Sequence, residues 1–272
     1  MLLAYAVLVS IFAFFIVAER IWLRKINLME SGPGDSITNL LLSALHQLSD
    51  NLFVLYNLFW INNIYDWLSK NGLHVFNSDL NFYSVLWLLI IQDFLYYWYH
   101  RASHNIRWLW CSHITHHLSK NMNFTVGFRQ SVLHPFTGTW IFWLPLAFLG
   151  YTQKQIFLIS ALNLVYQFFV HTRMIRSSGI FKYFLNTPSH HRVHHGINDA
   201  YLNKNFAGIF TVWDHLFGTY AEEREKVVYG TIAKYDANSI LGSNMSEFLS
   251  MLKKIFKARS WRDRYSALVL IK

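Results

Sequence analysis

The chain has 272 residues, of which 53% are hydrophobic and 18% aromatic but only 14% charged, where soluble domains carry about 25%. The deficit comes from long apolar runs, so an ordinary soluble domain is excluded and a membrane protein of one or two domains is expected. A formal charge of +9 does not indicate nucleic acid, because the basic residues flank apolar runs and crowd the C-terminal part, which suits cytoplasmic loops and anionic lipid; Cys111, the single cysteine, excludes an internal disulfide and a Cys-based zinc site.

The first apolar run, Leu2 to Ala18, is followed by Arg20, Arg24 and Lys25. It is expected to be a signal anchor with its N-terminus outside and its basic end in the cytoplasm. Ser31 to Ser36 is expected to be a loop by its Gly and Pro content. A second run, Ile37 to Ile61, carries His46, Gln47, Asp50 and Asn51, polar groups expected to face the protein interior or a cavity. Residues 62–82, with Asp66, Lys70 and Asp79, are expected outside. The third run, Phe82 to Tyr99, is rich in Trp and Tyr near its end and delivers His100, Arg101 and Arg107 back to the cytoplasm. Runs at Val132 to Leu149 and Ile156 to Val170 flank a short turn and form an expected helical hairpin that leaves the cytoplasmic side and returns. No long apolar run follows Thr172. The expected fold is therefore an all-α, multi-pass membrane helical bundle of about four or five spans, with a membrane domain at 1–172 and a cytosolic helical cap at 173–272.

Eight histidines form three boxes: His100-x-x-x-His104, His113-x-x-His116-His117 and His191-x-x-His194-His195. Positions i, i+3 and i+4 share a helix face, so each box presents two or three imidazoles in one direction. Burying eight basic rings without partners would be expensive, and a metal would hold them neutral. One ion rarely needs eight imidazoles; two ions close together can use them all. The residues thus indicate a dinuclear centre, with iron, zinc and copper all open by ligand type. The first two boxes precede the hairpin and the third follows it, so the hairpin brings all three to one face of the bilayer. His-Glu-x-x-His and the Glu-x-x-His pairs of soluble di-iron bundles are absent.

The three boxes in this order resemble the fatty acid hydroxylase and sterol desaturase superfamily. The likeness rests on Tyr97-Trp-Tyr-His-Arg-Ala-Ser-His104, on Asn186-Thr-Pro-Ser-His-His-Arg-Val-His-His-Gly196, and on Asn203-Lys-Asn-Phe-Ala-Gly208 with Trp213-Asp-His-Leu-Phe-Gly-Thr219. It covers roughly residues 85 to 232. Within the superfamily the chain resembles the alkylglycerol monooxygenases, through Arg129-Gln-Ser-Val-Leu133, the Asn186–Gly196 run and Glu225-Lys-Val-Val-Tyr-Gly230. It departs from them at Asn105, where an acidic residue is common, and at His134. The resemblance implies two iron ions, activation of dioxygen and hydroxylation of the alkyl chain of a lipid drawn from the bilayer, with cleavage of ether lipids as the finer expectation. It also implies a tetrahydropterin reductant. No Rossmann Gly-x-Gly-x-x-Gly or cytochrome-like segment is present, so an external electron donor is expected. The alternatives are a sterol or fatty-acyl desaturase on the same site and, in another class, a membrane metal transporter or sensor. The expected location is the endoplasmic reticulum or a bacterial inner membrane, with the site on the cytoplasmic face.

His171, at the end of the fifth run, is a candidate ninth ligand, since the superfamily often has a histidine there. Asp93, seven residues before His100, is expected to accept the second ring N–H of a ligand histidine. Asp214 and His190 are candidates for the same supporting role. His134 is expected to line a pocket, while His46, His74 and His215 carry ordinary structural readings. Trp98, Trp108, Trp110 and Trp140 are expected in an interfacial belt and the core. The amphipathic stretch from Met251 to Ile255 is expected to be a packed surface helix.

Overall fold

The computed structural model describes residues 2–28, 33–73, 75, 81–176 and 179–271. Among them there is no strand, only helices, turns and three isolated backbone bridges. Helix α1 (Leu2–Lys25) is the single described helix both long and apolar enough to cross a bilayer, over Ala6–Lys25. Its one acidic residue, Glu19, turns inward to accept the Phe124 amide at 2.7 Å and the Thr172 hydroxyl.

Helix α2 (Pro33–Asn71) starts at a proline, whose missing N–H costs nothing in a first turn. The expected loop therefore ends at Pro33, and its earlier part, 31–32, lies outside the described residues. The helix has 39 residues, about 58 Å of length, and carries Asp66 and Lys70 near its C-terminal end. It stops at Gly72, where a Cβ would stand 2.0 Å from the Phe148 carbonyl oxygen. Helix α3 (Phe82–Asn105) opens with a capping box between Asn81 and Ser84 and bends into α4 (Arg107–His117) at the single extended residue Ile106.

The outgoing arm of the expected hairpin is not a continuous helix. Pro135, Gly138 with φ +81°, and Pro145 divide it into 3-10 turns at His134–Thr137 and Thr139–Trp143 and a five-residue helix α5 (Leu144–Phe148). Its longest apolar piece, Thr139–Phe148, reaches about 15–20 Å, short of a hydrocarbon core of about 30 Å. The returning arm is continuous: α6 (Gln153–Val170) begins at a Thr152–Gln155 capping box and ends at His171. Tyr65, Leu88, Leu146, Tyr151, Ile156 and Ile159 form the core that joins α2, α3, α5 and α6.

Helix α7 (Pro188–His194) carries the third box, and the short α8 (Val212–Leu216) follows. Helices α9 (Ile240–Lys257) and α10 (Trp261–Val269) complete the chain. Helix α9 includes the Met251–Ile255 stretch and packs on α4. Large apolar side chains stand exposed in rows on α2 (Leu52, Leu55, Trp60), α3 (Phe82, Trp87) and α6 (Phe157, Leu158, Leu162). An apolar surface of this extent needs something other than water against it.

Candidate metal centre

The helix breaks determine what the boxes can do. His100 and His104 close α3, and one residue later α4 starts in a new direction carrying His113, His116 and His117. Thr187 caps α7 and Pro188 opens it, so that His191 and His194 lie on the helix and His195 at its C-cap. His171 is the C-cap of α6. All nine rings converge. Their nitrogens fall into two groups, each with its ligand atoms within 4.8 Å of one another: His100, His104, His113, His117 and His194 in the first, and His116, His171, His191 and His195 in the second.

Each triple box is split between the groups. Position i+3 is rotated by about 100° from i+4 around a helix. Helix α4 thus gives the pair His113/His117 to the first group and His116 to the second. Helix α7 does the reverse, giving His191/His195 to the second and His194 to the first. The expectation that a box points one way gives place to two boxes each serving both groups. The groups abut, with His117 and His195 stacked at 4.3 Å between centroids.

The hydrogen bonds fix the ring protons. Nδ1 faces a backbone carbonyl in His100 (Phe206 O, 2.9 Å), His116 (Arg129 O, 3.3 Å), His171 (Gln167 O, 2.6 Å) and His194 (Lys204 O, 3.0 Å). A carbonyl only accepts, so these rings carry their proton on Nδ1 and leave Nε2 as a bare lone pair. The Nε2 atoms of His116 and His171 then face each other at 3.1 Å with no proton to share. Buried Nε2 atoms of His104 and His194 have no hydrogen-bond partner. Leaving such atoms unsatisfied costs about 1–3 kcal/mol each, and a cation removes the cost. Neighbouring Nε2 atoms lie 2.8–3.2 Å apart along His100–His113–His117 and His116–His171–His191–His195. Two nitrogens about 2.1 Å from one ion at a right angle are separated by about 3 Å, so the donor set fits two metal ions. Burial and neighbouring imidazoles hold His113, His116, His117, His191, His194 and His195 well below the usual histidine range. They are neutral at pH 7, the form that ligates.

The supporting residues differ from expectation. Asp93 receives no imidazole N–H. Two helical turns separate it from His100, and its oxygens are filled by the amides of Ile209 (2.7 Å) and Phe210 (2.9 Å), Trp213 Nε1 (3.0 Å) and Asn163 Nδ2 (3.1 Å). Asp214 likewise touches no imidazole; it accepts the Phe206 and Ala207 amides at 2.8 and 2.9 Å and the Thr219 hydroxyl at 2.7 Å. It thereby holds the peptide whose carbonyl receives His100. His190 points away from the nine, toward the Tyr220 hydroxyl at 3.3 Å. In His100, His116, His171 and His194 the second ring nitrogen thus goes to a backbone carbonyl, which no residue type announces in a sequence. One trace is visible: Asn203 and Asn205 adopt positive φ of 57° and 56°, a region Asn tolerates better than most residues, in the loop that presents the Lys204 and Phe206 carbonyls.

Arg129 and Arg192 are further residues that box patterns do not reveal. Arg129 is fully buried and donates to Thr115 O, Asn39 Oδ1, Ala237 O and Ser243 Oγ, while its own carbonyl receives His116. Arg192, inside the third box, pairs with Glu223 at 2.6 Å and donates to Thr172 O, next to His171. Trp110 lies against His104 and His117, 5.1 and 5.6 Å between centroids. His46, Asp50 and His134 form a separate small group, with His46 Nε2 3.2 Å from Asp50 and His134 bonded to Tyr99 at 2.9 Å. His215 stacks on Tyr220, and His74 lies outside the described residues.

Fold and site together define an all-helical protein with a buried, twin-grouped polyhistidine centre. Residues 85–219 match the family model for fatty acid hydroxylase, so this segment is a fatty acid hydroxylase domain. It is 47% identical over 139 residues to alkylglycerol monooxygenase of Homo sapiens, covering 51% of this chain and 31% of that protein. To alkylglycerol monooxygenase of Danio rerio it is 45% identical over 146 residues, 53% of this chain and 32% of that one. Lathosterol oxidase of Rattus norvegicus is 30% identical over 141 residues, 50% of this chain and 44% of that protein. The aligned part is thus about a third of the length of the alkylglycerol monooxygenases it matches. No solved structure matches the chain.

Proposed function

We propose that the chain is a membrane-bound, non-haem di-iron oxygenase that hydroxylates the alkyl chain of a lipid, with an ether lipid as its substrate. The observation that carries this reading is the pairing of bare Nε2 atoms, above all His116 against His171, on a segment 47% identical to a human alkylglycerol monooxygenase. His100, His104, His113, His117 and His194 would hold one iron, and His116, His171, His191 and His195 the other. Bound there, the irons would supply activation of dioxygen for oxidation of an unactivated C–H bond. The chain's own residues keep the donors neutral, fix the tautomers of His100, His116, His171 and His194 through carbonyls and shield the centre from water by burial. Hydroxylation beside an ether oxygen gives a hemiacetal, which collapses to an aldehyde and a glycerol derivative. The electrons come from an external donor, a tetrahydropterin on this reading.

The membrane arrangement is part of the proposal. Helices α1, α2 and α3 cross the bilayer in a portion spanning residues 1–172, the broken arm and α6 form a hairpin that enters it from the cytoplasmic side and returns, and residues 173–272 cap the centre on the cytoplasmic face of the endoplasmic reticulum or a bacterial inner membrane. The exposed apolar rows on α2, α3 and α6 support this, as does the return of α6 to His171.

Similarity to lathosterol oxidase and to a Schizosaccharomyces pombe sterol desaturase favours desaturation as the second reading. Iron-loaded protein incubated with lipids, isotope-labelled dioxygen and a pterin or ferredoxin reductant separates the two by mass spectrometry. Labelled hydroxylated lipid, or aldehyde from an ether lipid, is the expected result. An unlabelled product lacking two hydrogens makes the chain a desaturase. No product over a broad lipid panel, with H191A indistinguishable from the parent, overturns both in favour of metal handling.

A further inference from the structure

Helices α9 and α10 lie beyond the family match at 85–219, and α9 is used on two faces. Its inner face is locked to the second histidine box. Ser243 O accepts the Thr115 hydroxyl at 2.7 Å, Asn244 accepts the Ser131 hydroxyl and the Val132 amide, and Glu247 pairs with Arg107 at 2.6 Å. Met251, fully buried, completes this face.

The outer face has a different chemistry. Between residues 253 and 264 stand Lys253, Lys254, Lys257, Arg259, Arg262 and Arg264 against a single acidic residue, Asp263. All six basic residues are exposed. Among them, Phe256 is 81% and Trp261 82% exposed, with the Arg264 guanidinium 5.0 Å over the Trp261 ring. Tyr265 is exposed one turn further on. Large aromatics held in water at such exposure are unfavourable, and solubility does not require them. Aromatics that enter the headgroup boundary, beside cations that meet phosphate, are the makeup of a segment lying on an anionic membrane surface. The N-terminal part of α9 is tied to α2 through the loop between them: Asn244 accepts the Val132 amide, and the Ser49 hydroxyl of α2 donates to Val132 O.

We propose that the outer face of the α9–α10 hairpin, from Lys253 to Tyr265, docks on the anionic headgroups of the leaflet beside the metal centre. Because the inner face of α9 holds α4, this contact fixes the second histidine box relative to the lipid surface. The occupant is the bilayer, not a soluble anion.

Hydrogen exchange of the full chain in lipid nanodiscs tests this. Peptides covering 253–271 are expected to exchange at least about fivefold more slowly in nanodiscs with anionic phosphatidylglycerol than in pure phosphatidylcholine, about the effect of one basic residue engaged at a charged surface. High salt should erase the difference, and α4 peptides should be unaffected. A variant with the six basic residues changed to Gln should lose it; all six are exposed, so the fold is retained. W261S, a second variant, should reduce it. Equal exchange in the two lipids at low salt overturns the proposal, as does equal protection by inorganic phosphate in phosphatidylcholine nanodiscs or protection that survives charge removal.

Discussion

At the scale of the residue, the centre depends on which nitrogen of each imidazole carries the proton. Four backbone carbonyls decide this for His100, His116, His171 and His194. Carboxylates act one step further out: Asp214 grips the Phe206 and Ala207 amides, and Asp93 grips those of Ile209 and Phe210. Between them sits Gly208, where a Cβ would fall 2.6 Å from Asp93 Oδ1, so no larger residue fits without moving the segment. D214N is therefore expected to weaken iron binding by about 10–100-fold, the usual cost of losing a group that orients a ligand, without removing any ligand. Iron retention during chelator titration checks this. Retention equal to that of the parent would show that the Phe206 carbonyl is held without Asp214. The nine converging histidines were mostly visible in the sequence because the boxes repeat one residue type at helical spacing. The carbonyls were not, because every residue supplies one.

At the scale of the element, the centre is built from helix ends. Helices α3 and α6 deliver His104 and His171 within their last turn or cap, while α4 and α7 are only 11 and 7 residues long. Helices this short are marginal in isolation, so their order comes from packing. For α4 the packing partner is α9. Arg107 and Glu247, with side chains 4% and 8% exposed, form a buried ion pair in which Tyr235 also donates to Glu247. E247A leaves the Arg107 charge buried without its partner, which costs about 3–5 kcal/mol. A lower unfolding midpoint in denaturant is expected, with α4 gaining hydrogen exchange ahead of α3; an unchanged midpoint would mean that α4 holds without α9. Sequence periodicity located α1, α3 and α6 well. It failed at the outgoing arm, where hydropathy alone suggested a straight span but Pro135, Gly138 and Pro145 interrupt the backbone ladder. Those breakers were legible at residue level, and summed hydropathy concealed them.

At the scale of the whole molecule, burying so many neutral imidazoles couples folding to pH. Burial, with neighbouring imidazoles, pushes the six box histidines of α4 and α7 well below the usual histidine range. The unfolded chain therefore takes up protons first as pH falls through about 6.5. Because the unfolded state then binds more protons, stability drops with falling pH and is fully present above that value. Metal-stripped protein should lose thermal stability progressively below pH 6.5, and iron-loaded protein should hold its midpoint to lower pH because bound metal competes with protons. Identical pH profiles for the two forms would remove the metal from this account. By itself the sequence determined that the chain is helical, that three histidine boxes converge and that the boxed segment is like the fatty acid hydroxylases, since these rest on residue identity and spacing along a helix. Tertiary structure alone decided how the boxes divide into two groups, which carbonyls set the ring protons and that α9 braces the second box. Each of those depends on how the chain path brings groups together, from His171 and the Gln167 carbonyl four residues apart to Arg107 and Glu247 140 apart, and residue spacing along one helix does not specify that meeting.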